Sequence, residues 1–132
     1  MTIRIINYLD LNKCEGCTEE FNIILYDKPS ITYFGLIDAD AILSIMAVER
    51  MGAHLKFRAN YTPQKLRGKG YNSYLLAVVC SLFPNKVIVT EANNWSMPLY
   101  KRMGFEITGE RKCKYWTKYF MKRGVQNGKT EN

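Results

Sequence analysis

Apolar and polar positions along this chain first alternate, then run together, then recur at helical spacing. Thr2-Ile-Arg-Ile-Ile-Asn-Tyr-Leu9 alternates imperfectly and is rich in β-branched side chains, which predicts an opening strand. Asp10 to Thr18 reads as loop, Glu19 to Tyr26 as two helical turns, and Lys28-Pro29-Ser30 as a breaker. Ile31 to Ile37 is dense in strand formers, Asp38-Ala-Asp40 turns, and Ala41 to Glu49 is so continuously apolar that it predicts a strand buried on both faces. After Met51-Gly52, His54 to Asn60 alternates cleanly and places Leu55, Phe57 and Ala59 on one face. Three successive strands joined by short turns make an antiparallel meander.

The period then changes. Leu75, Leu76, Val79, Cys80 and Phe83 recur as on one side of a helix that ends near Pro84-Asn85. Lys86 to Thr90 is a short β-branched strand. Asn94 to Met103 is a second helix, opened by Ser96 to Pro98 and stopped by Gly104. Phe105 to Gly109 and Lys114 to Met121 read as final strands, and residues 123–132 as a polar tail with no reason to order. The strand-helix-strand middle implies a parallel pair within an otherwise antiparallel sheet, so the fold class is mixed α+β, with residues 1–122 as one domain.

Composition narrows the picture. With 132 residues, 47% hydrophobic and 23% charged, the chain suits a single packed domain. The longest largely apolar run, Leu75 to Phe83, is too short to span a bilayer, and the start lacks a signal-peptide pattern, so the expectation is a cytoplasmic protein without a membrane partner. Charge is lopsided. Residues 1–50 hold 4 Lys/Arg against 8 Asp/Glu, leaving 15 against 4 in the remainder, so the net +7 comes from the later part. An anion would be met there. Cys14 and Cys17 form a C-x-x-C, but Cys80 and Cys113 stand apart and His54 is the only histidine. No second ligand pair completes a zinc site, and the expectation is free thiols and no metal.

Chemistry concentrates where strand gives way to helix. Arg67-Gly68-Lys69-Gly70-Tyr71-Asn72 is a basic glycine turn opening a helix, an arrangement that aims several backbone N–H groups and the helix dipole at one spot. Walker A is excluded, because Pro63 stands where its first glycine belongs and Gly70 follows Lys69; the Rossmann pattern fails at Ser73. A second segment, Glu91 to Phe105, carries Asn93, Ser96 and then Leu99-Tyr100, a three-residue spacer and Gly104-Phe105.

Together the two segments resemble the GNAT superfamily of N-acetyltransferases, over residues 31–121. The resemblance implies a twisted, mostly antiparallel sheet with a central splayed parallel strand pair flanked by helices. It also implies transfer of an acetyl group from acetyl-CoA to an amine by direct attack. On it, Arg67, Gly68, Lys69, Gly70, Tyr71 and Asn72 hold the pyrophosphate, Asn93 lies near the cofactor arm, and Tyr100 assists departure of the thiolate. Direct attack needs a neutral amine, which a lysine of pKa about 10.4 rarely offers at pH 7. Glu91, at the end of a strand, is the candidate base, with His54 a weaker one.

Three positions depart from the family pattern. Asn72 replaces a small residue at the phosphate turn, the N-terminal region is short, and His54 to Asn60 contains no carboxylate. The short N-terminal region leaves the acceptor cleft either open or completed by a second copy in a homodimer. Small amines, protein amines and aminoacyl-tRNA all remain as acceptors, and a longer acyl-CoA remains as donor. Tyr115, Trp116, Tyr119 and Phe120 are interleaved with Lys112, Lys114, Lys118, Lys122 and Arg123, a pattern able to stack bases and track phosphates. The rival reading is accordingly a non-catalytic basic module that kept the fold and binds RNA or a protein partner.

Overall fold

A computed structural model describes residues 1–17 and 25–126. Seven strands form one sheet in the order β1-β2-β3-β4-β5-β7-β6. These are β1 (Thr2–Ile6), β2 (Ile31–Asp38), β3 (Ala41–Met51), β4 (His54–Tyr61), β5 (Val87–Ala92), β6 (Glu106–Lys112) and β7 (Thr117–Arg123). Two helices, α1 (Tyr71–Ser81) and α2 (Met97–Arg102), flank β5 in the chain. All pairings are antiparallel except β4 with β5. The mixed sheet and its one parallel pair agree with the sequence patterns.

The sheet carries a core on each face, the second confined to the β1–β3 side and the end of β4. Phe34, Met46, Val48, Leu55, Phe57, Ile88 and Met121 meet Leu75, Leu76 and Val79 of α1 and Tyr100 of α2 in one core. Ile31, Tyr33, Ile45, Ala47 and Tyr61 meet Leu11, Cys14 and Cys17 of the N-terminal segment in another. The two cores explain why β3 reads as unbroken apolar sequence: Ile45 and Ala47 serve one, Met46 and Val48 the other, and all of Ile42–Glu49 is buried.

Element boundaries moved for local reasons. The first strand stops at Ile6 because the Asn7 side chain accepts from Leu9 N at 3.0 Å and opens a 3-10 turn over Tyr8–Lys13. The last strand starts at Thr117 because residues 113–116 form the hairpin tip, closed by Cys113 N donating to Trp116 O at 2.7 Å. The second helix is shorter than its pattern, since Asn93 to Ser96 form a turn ahead of it. The helical turns expected at Glu19 to Tyr26 fall outside the described residues, apart from Leu25 and Tyr26, which have no regular structure.

Arg123 is not part of a tail. It ends β7, is buried, and sends its guanidinium to Cys80 O (3.1 Å), Phe83 O (2.7 Å) and Lys86 O (3.4 Å). These are carbonyls at and just beyond the end of α1, so the cation caps the negative pole of the helix. Reading it as tail failed because a charged residue beside a polar stretch looks solvated until a helix end is placed against it.

Arg123→Leu removes the cation from those carbonyls, leaving Cys80 O and Phe83 O only their backbone donors Phe83 N and Lys86 N, and should lower the unfolding free energy by about 1.5–3 kcal/mol in urea titration. A loss below about 1 kcal/mol would show that the cap is dispensable.

Candidate active site

β4 and β5 begin side by side and then part. Their ladder runs from His54↔Val87 to Phe57↔Thr90 and stops, although β4 continues to Tyr61 and β5 to Ala92. A bulge in β4 accompanies the parting. On its other side, Arg58 pairs with Ala47 and Tyr61 with Ile45, so Ala59 and Asn60 together stand opposite Met46 alone. Ala59 takes the extra turn at φ 58°, a left-handed conformation that a residue with a Cβ rarely adopts.

Tyr100 fills the gap from the helix side. Its ring packs edge-on against Phe105 at 5.1 Å, and Phe105 in turn meets Phe57 at 6.3 Å. Its hydroxyl oxygen accepts from Asn60 Nδ2 at 2.7 Å. Beside it, Thr90 donates to Phe57 O at 3.0 Å, across the last rung of the parallel ladder. Burial pushes the Tyr100 phenol up to about 12, and Cys80 adds to this, while Thr90 and Asn60 pull the other way. The phenol therefore stays protonated at neutral pH. Because Asn60 Nδ2 donates to it, its own proton remains available to another acceptor. Asn60 Oδ1 is buried and has no partner.

The turn expected to hold a phosphate lies where β4 hands over to α1. Gly68 and Gly70 hold φ of 81° and 83°, and a Cβ built on either would meet nothing within 4 Å. The glycines serve the backbone path, and the space before them is open. Gly70 caps α1 without a side-chain bond, and the first turn of α1 contains no acidic residue. Its leading N–H groups therefore face outward with two cations nearby, Arg67 and Lys69. Arg67 is anchored, with Nε donating to Thr62 O at 2.8 Å and its guanidinium over the Tyr61 ring at 5.5 Å. Asn72 turns inward, its Nδ2 donating to Ser44 Oγ at 2.9 Å, while Ser44 also bonds Tyr61 O and Thr62 Oγ1. The amide thus ties the helix start to the sheet instead of entering the space ahead of the turn. Tyr71 is half-buried at the first position of α1.

Asn93 is absorbed by its own turn. Its Oδ1 accepts from Trp95 N and Ser96 N, both at 2.9 Å, and its backbone N donates to Ser96 Oγ. Glu91 alternates with buried Thr90 along β5 and projects to the other face, where Lys118 (3.2 Å) and Lys56 (3.4 Å) grip its carboxylate. Partial burial raises its pKa, but Lys118 and Lys56 outweigh this and hold it below the usual carboxylate range. His54 lies at the first rung of the parallel ladder and Tyr100 beyond the last, so they occupy opposite ends of the strand pair.

The cysteines of the C-x-x-C are buried in the second core, and no described cysteine is in a disulfide. Burial, with Cys17 adding, pushes the Cys14 thiol up to about 12, which suppresses the thiolate. Among the described residues no three His, Cys, Asp or Glu side chains gather as a metal site, and no helix is long and apolar enough to cross a membrane. One cavity, of about 660 Å³, lies along β1 and its following turn, away from these groups. A smaller one of about 430 Å³ adjoins the phosphate turn and is lined by Glu15, Gly16, Tyr61, Pro63, Gln64 and Lys65.

Sequence patterns missed Asn60, Thr90, Ser44 and the lysines flanking Glu91. Asn60 had one legible signal, a polar amide closing a strand that otherwise alternates, but its partner Tyr100 is forty positions away.

No protein-family model matches the chain, and no curated protein does. Solved structures do. A ribosomal-protein alanine N-acetyltransferase from Escherichia coli superposes with TM-score 0.82 at 11% identity, covering 99% of this chain and 97% of that one. One from Brucella melitensis gives 0.71 at 16% identity, over 95% and 100%. An aminoglycoside N-acetyltransferase complexed with coenzyme A gives 0.74 at 10% identity, over 95% and 97%. With near-complete coverage, one parallel pair in a seven-stranded sheet and the two motifs at its parted end, the chain has the fold of the GNAT N-acetyltransferases.

Proposed function

We propose that this protein transfers an acetyl group from acetyl-CoA to an amine. The observation that carries the proposal is the pairing of an uncapped, acid-free helix start behind the Gly68–Gly70 turn with a protonated tyrosine in the gap between two parted parallel strands. The first suits a pyrophosphate, held by backbone N–H groups around Gly68 to Asn72 and by Arg67 and Lys69. The second suits a thioester threaded between the strands. Asn93 contributes by shaping the turn that starts α2.

In the reaction the amine nitrogen bonds to the thioester carbon, the C–S bond breaks, and coenzyme A leaves as the thiolate. Tyr100 faces that charge. A phenol near pKa 12 and a thiol near 8.5 differ by about 3.5 units, so complete proton transfer to sulfur would be uphill by about 5 kcal/mol. Tyr100 therefore stabilises the leaving thiolate by a hydrogen bond, with Asn60 keeping its proton pointed away from the amide. The amine's proton leaves through water; Glu91 takes it up in this scheme, as a base weakened by Lys56 and Lys118. The fold neighbours are named for acceptors as different as a ribosomal protein and an aminoglycoside, so the acceptor here is specified only as an amine.

In calorimetry at 150 mM salt, acetyl-CoA should bind the wild type with micromolar affinity and fail to bind Gly70→Asp, which sets a negative charge at the phosphate turn. Absence of binding by the wild type would sink the proposal. Tyr100→Phe should lower turnover about 10- to 1000-fold while leaving acetyl-CoA binding nearly intact. Unchanged turnover would remove Tyr100 from the mechanism.

Glu91 has its own test. Because its pKa is depressed, the stabilisation it contributes is present above the ordinary carboxylate range and is lost as pH falls through the depressed value. Lys118→Met should move the carboxyl titration upward by ¹³C NMR, and the acid limb of the turnover profile should move with it. A limb that stays put while the titration shifts would assign Glu91 a purely structural role.

A further inference from the structure

Trp95, Tyr115 and Trp116 belong to neither core. They are 81%, 85% and 39% exposed. Burying an aromatic of this size normally stabilises a fold by about 1.5–3 kcal/mol, so leaving three in water is a feature that packing does not explain.

The structure also joins the two segments that bear them. Asn94 Oδ1 accepts from Thr117 N at 3.0 Å, fastening the turn that bears Trp95 to the hairpin that bears Tyr115 and Trp116. Both segments are ordered from within, the turn by Asn93 and the tip by the Cys113–Trp116 bond. Residues 111–118 hold Arg111, Lys112, Lys114 and Lys118 and no acid. Lys114 lies over the Tyr115 ring at 5.3 Å, and Arg111 and Lys112 are exposed.

We infer that this surface binds a single-stranded nucleic acid, with bases stacked on Trp95, Tyr115 and Trp116 and phosphates on Arg111, Lys112 and Lys114. The intermixing decides the occupant. A protein partner is met by a contiguous apolar centre depleted of charge, whereas here Asn94 precedes Trp95, Lys114 precedes Tyr115, and Lys118 follows two residues after Trp116. A single strand offers that alternation, a flat ring and an anion per nucleotide. Flat residues on two short anchored segments also suit stacking without sequence preference. The inference is independent of acetyl transfer, since none of these residues belongs to the phosphate turn or contacts Tyr100. Its location is nonetheless adjacent, because the turn bearing Trp95 runs from the end of β5 into the helix bearing Tyr100.

The test is fluorescence anisotropy with a fluorescein-labelled oligouridine of about 12 nucleotides, a length within the range one small domain occupies. The full chain should bind it, with quenching of tryptophan emission. Trp95→Ala and Tyr115→Ala, both so exposed that circular dichroism should be unchanged, should each weaken binding about 5- to 100-fold. Lys112→Gln with Lys114→Gln should reduce the slope of log affinity against log salt by about 1.4. Saturating coenzyme A should leave the oligonucleotide bound, and acetyl-CoA affinity should be unchanged in the aromatic variants, which separates this result from that for the phosphate turn. The inference is overturned by absence of binding, by aromatic variants that bind like the wild type, or by displacement with coenzyme A. Polyglutamate binding of equal strength would overturn it in favour of an acidic protein segment.

Discussion

The site depends on a ladder that stops. Parallel strands normally continue pairing to their ends, because an unpaired backbone group in the interior is costly. Here the bulge at Ala59 and Asn60 lengthens β4 on one side only, and beyond Phe57↔Thr90 the strand has no partner in β5. The left-handed Ala59 is a local strain, held in place by the long β3–β4 pairing that flanks it. The gap admits the Tyr100 hydroxyl and puts Asn60 in reach of it. A continuous ladder would close the sheet over that position and leave Tyr100 as an ordinary core aromatic.

Charge is disposed around the gap in two different ways. At the glycine turn, cations and helix N–H groups converge, and the first turn of α1 holds no acid. On the open face of β4, β5 and β7, by contrast, lysines and carboxylates neutralise one another: Arg58 bonds Glu49 at 2.6 Å, and Glu91 bridges Lys56 and Lys118. The net +7 of the chain therefore overstates the field on that face. The distinction rests on pairing, which a count of charges does not register.

Asn72 shows how a departure from a motif can be absorbed. A side chain larger than glycine or alanine at that position could have entered the anion site. Instead the backbone of α1 directs it inward, where Ser44, Thr62 and Tyr61 O form a hydrogen-bonded cluster under the turn. The amide thereby secures the helix start from behind. The same logic applies at the other end of α1, where Arg123 reaches across from the edge of β7 to terminal carbonyls. One helix is tied to the sheet at both ends by polar groups from distant strands.

The amino-acid sequence by itself determined the period of each element, the order of strand and helix, the antiparallel meander, the parallel pair and the two motif segments. All of these follow from local alternation, turn residues and short spacings, which need no knowledge of what lies across the fold. What only the tertiary structure decided was which groups meet. Asn60 with Tyr100, Thr90 with Phe57 O, Asn72 with Ser44, Glu91 with two lysines and Arg123 with the end of α1 join positions 27 to 43 residues apart. Basicity and proton direction depend on those meetings, because burial and a single hydrogen bond within about 3 Å outweigh anything encoded in a residue's immediate neighbours. That is why Tyr100 could be singled out from a motif, while its burial, its bond from Asn60 and its raised pKa required the fold.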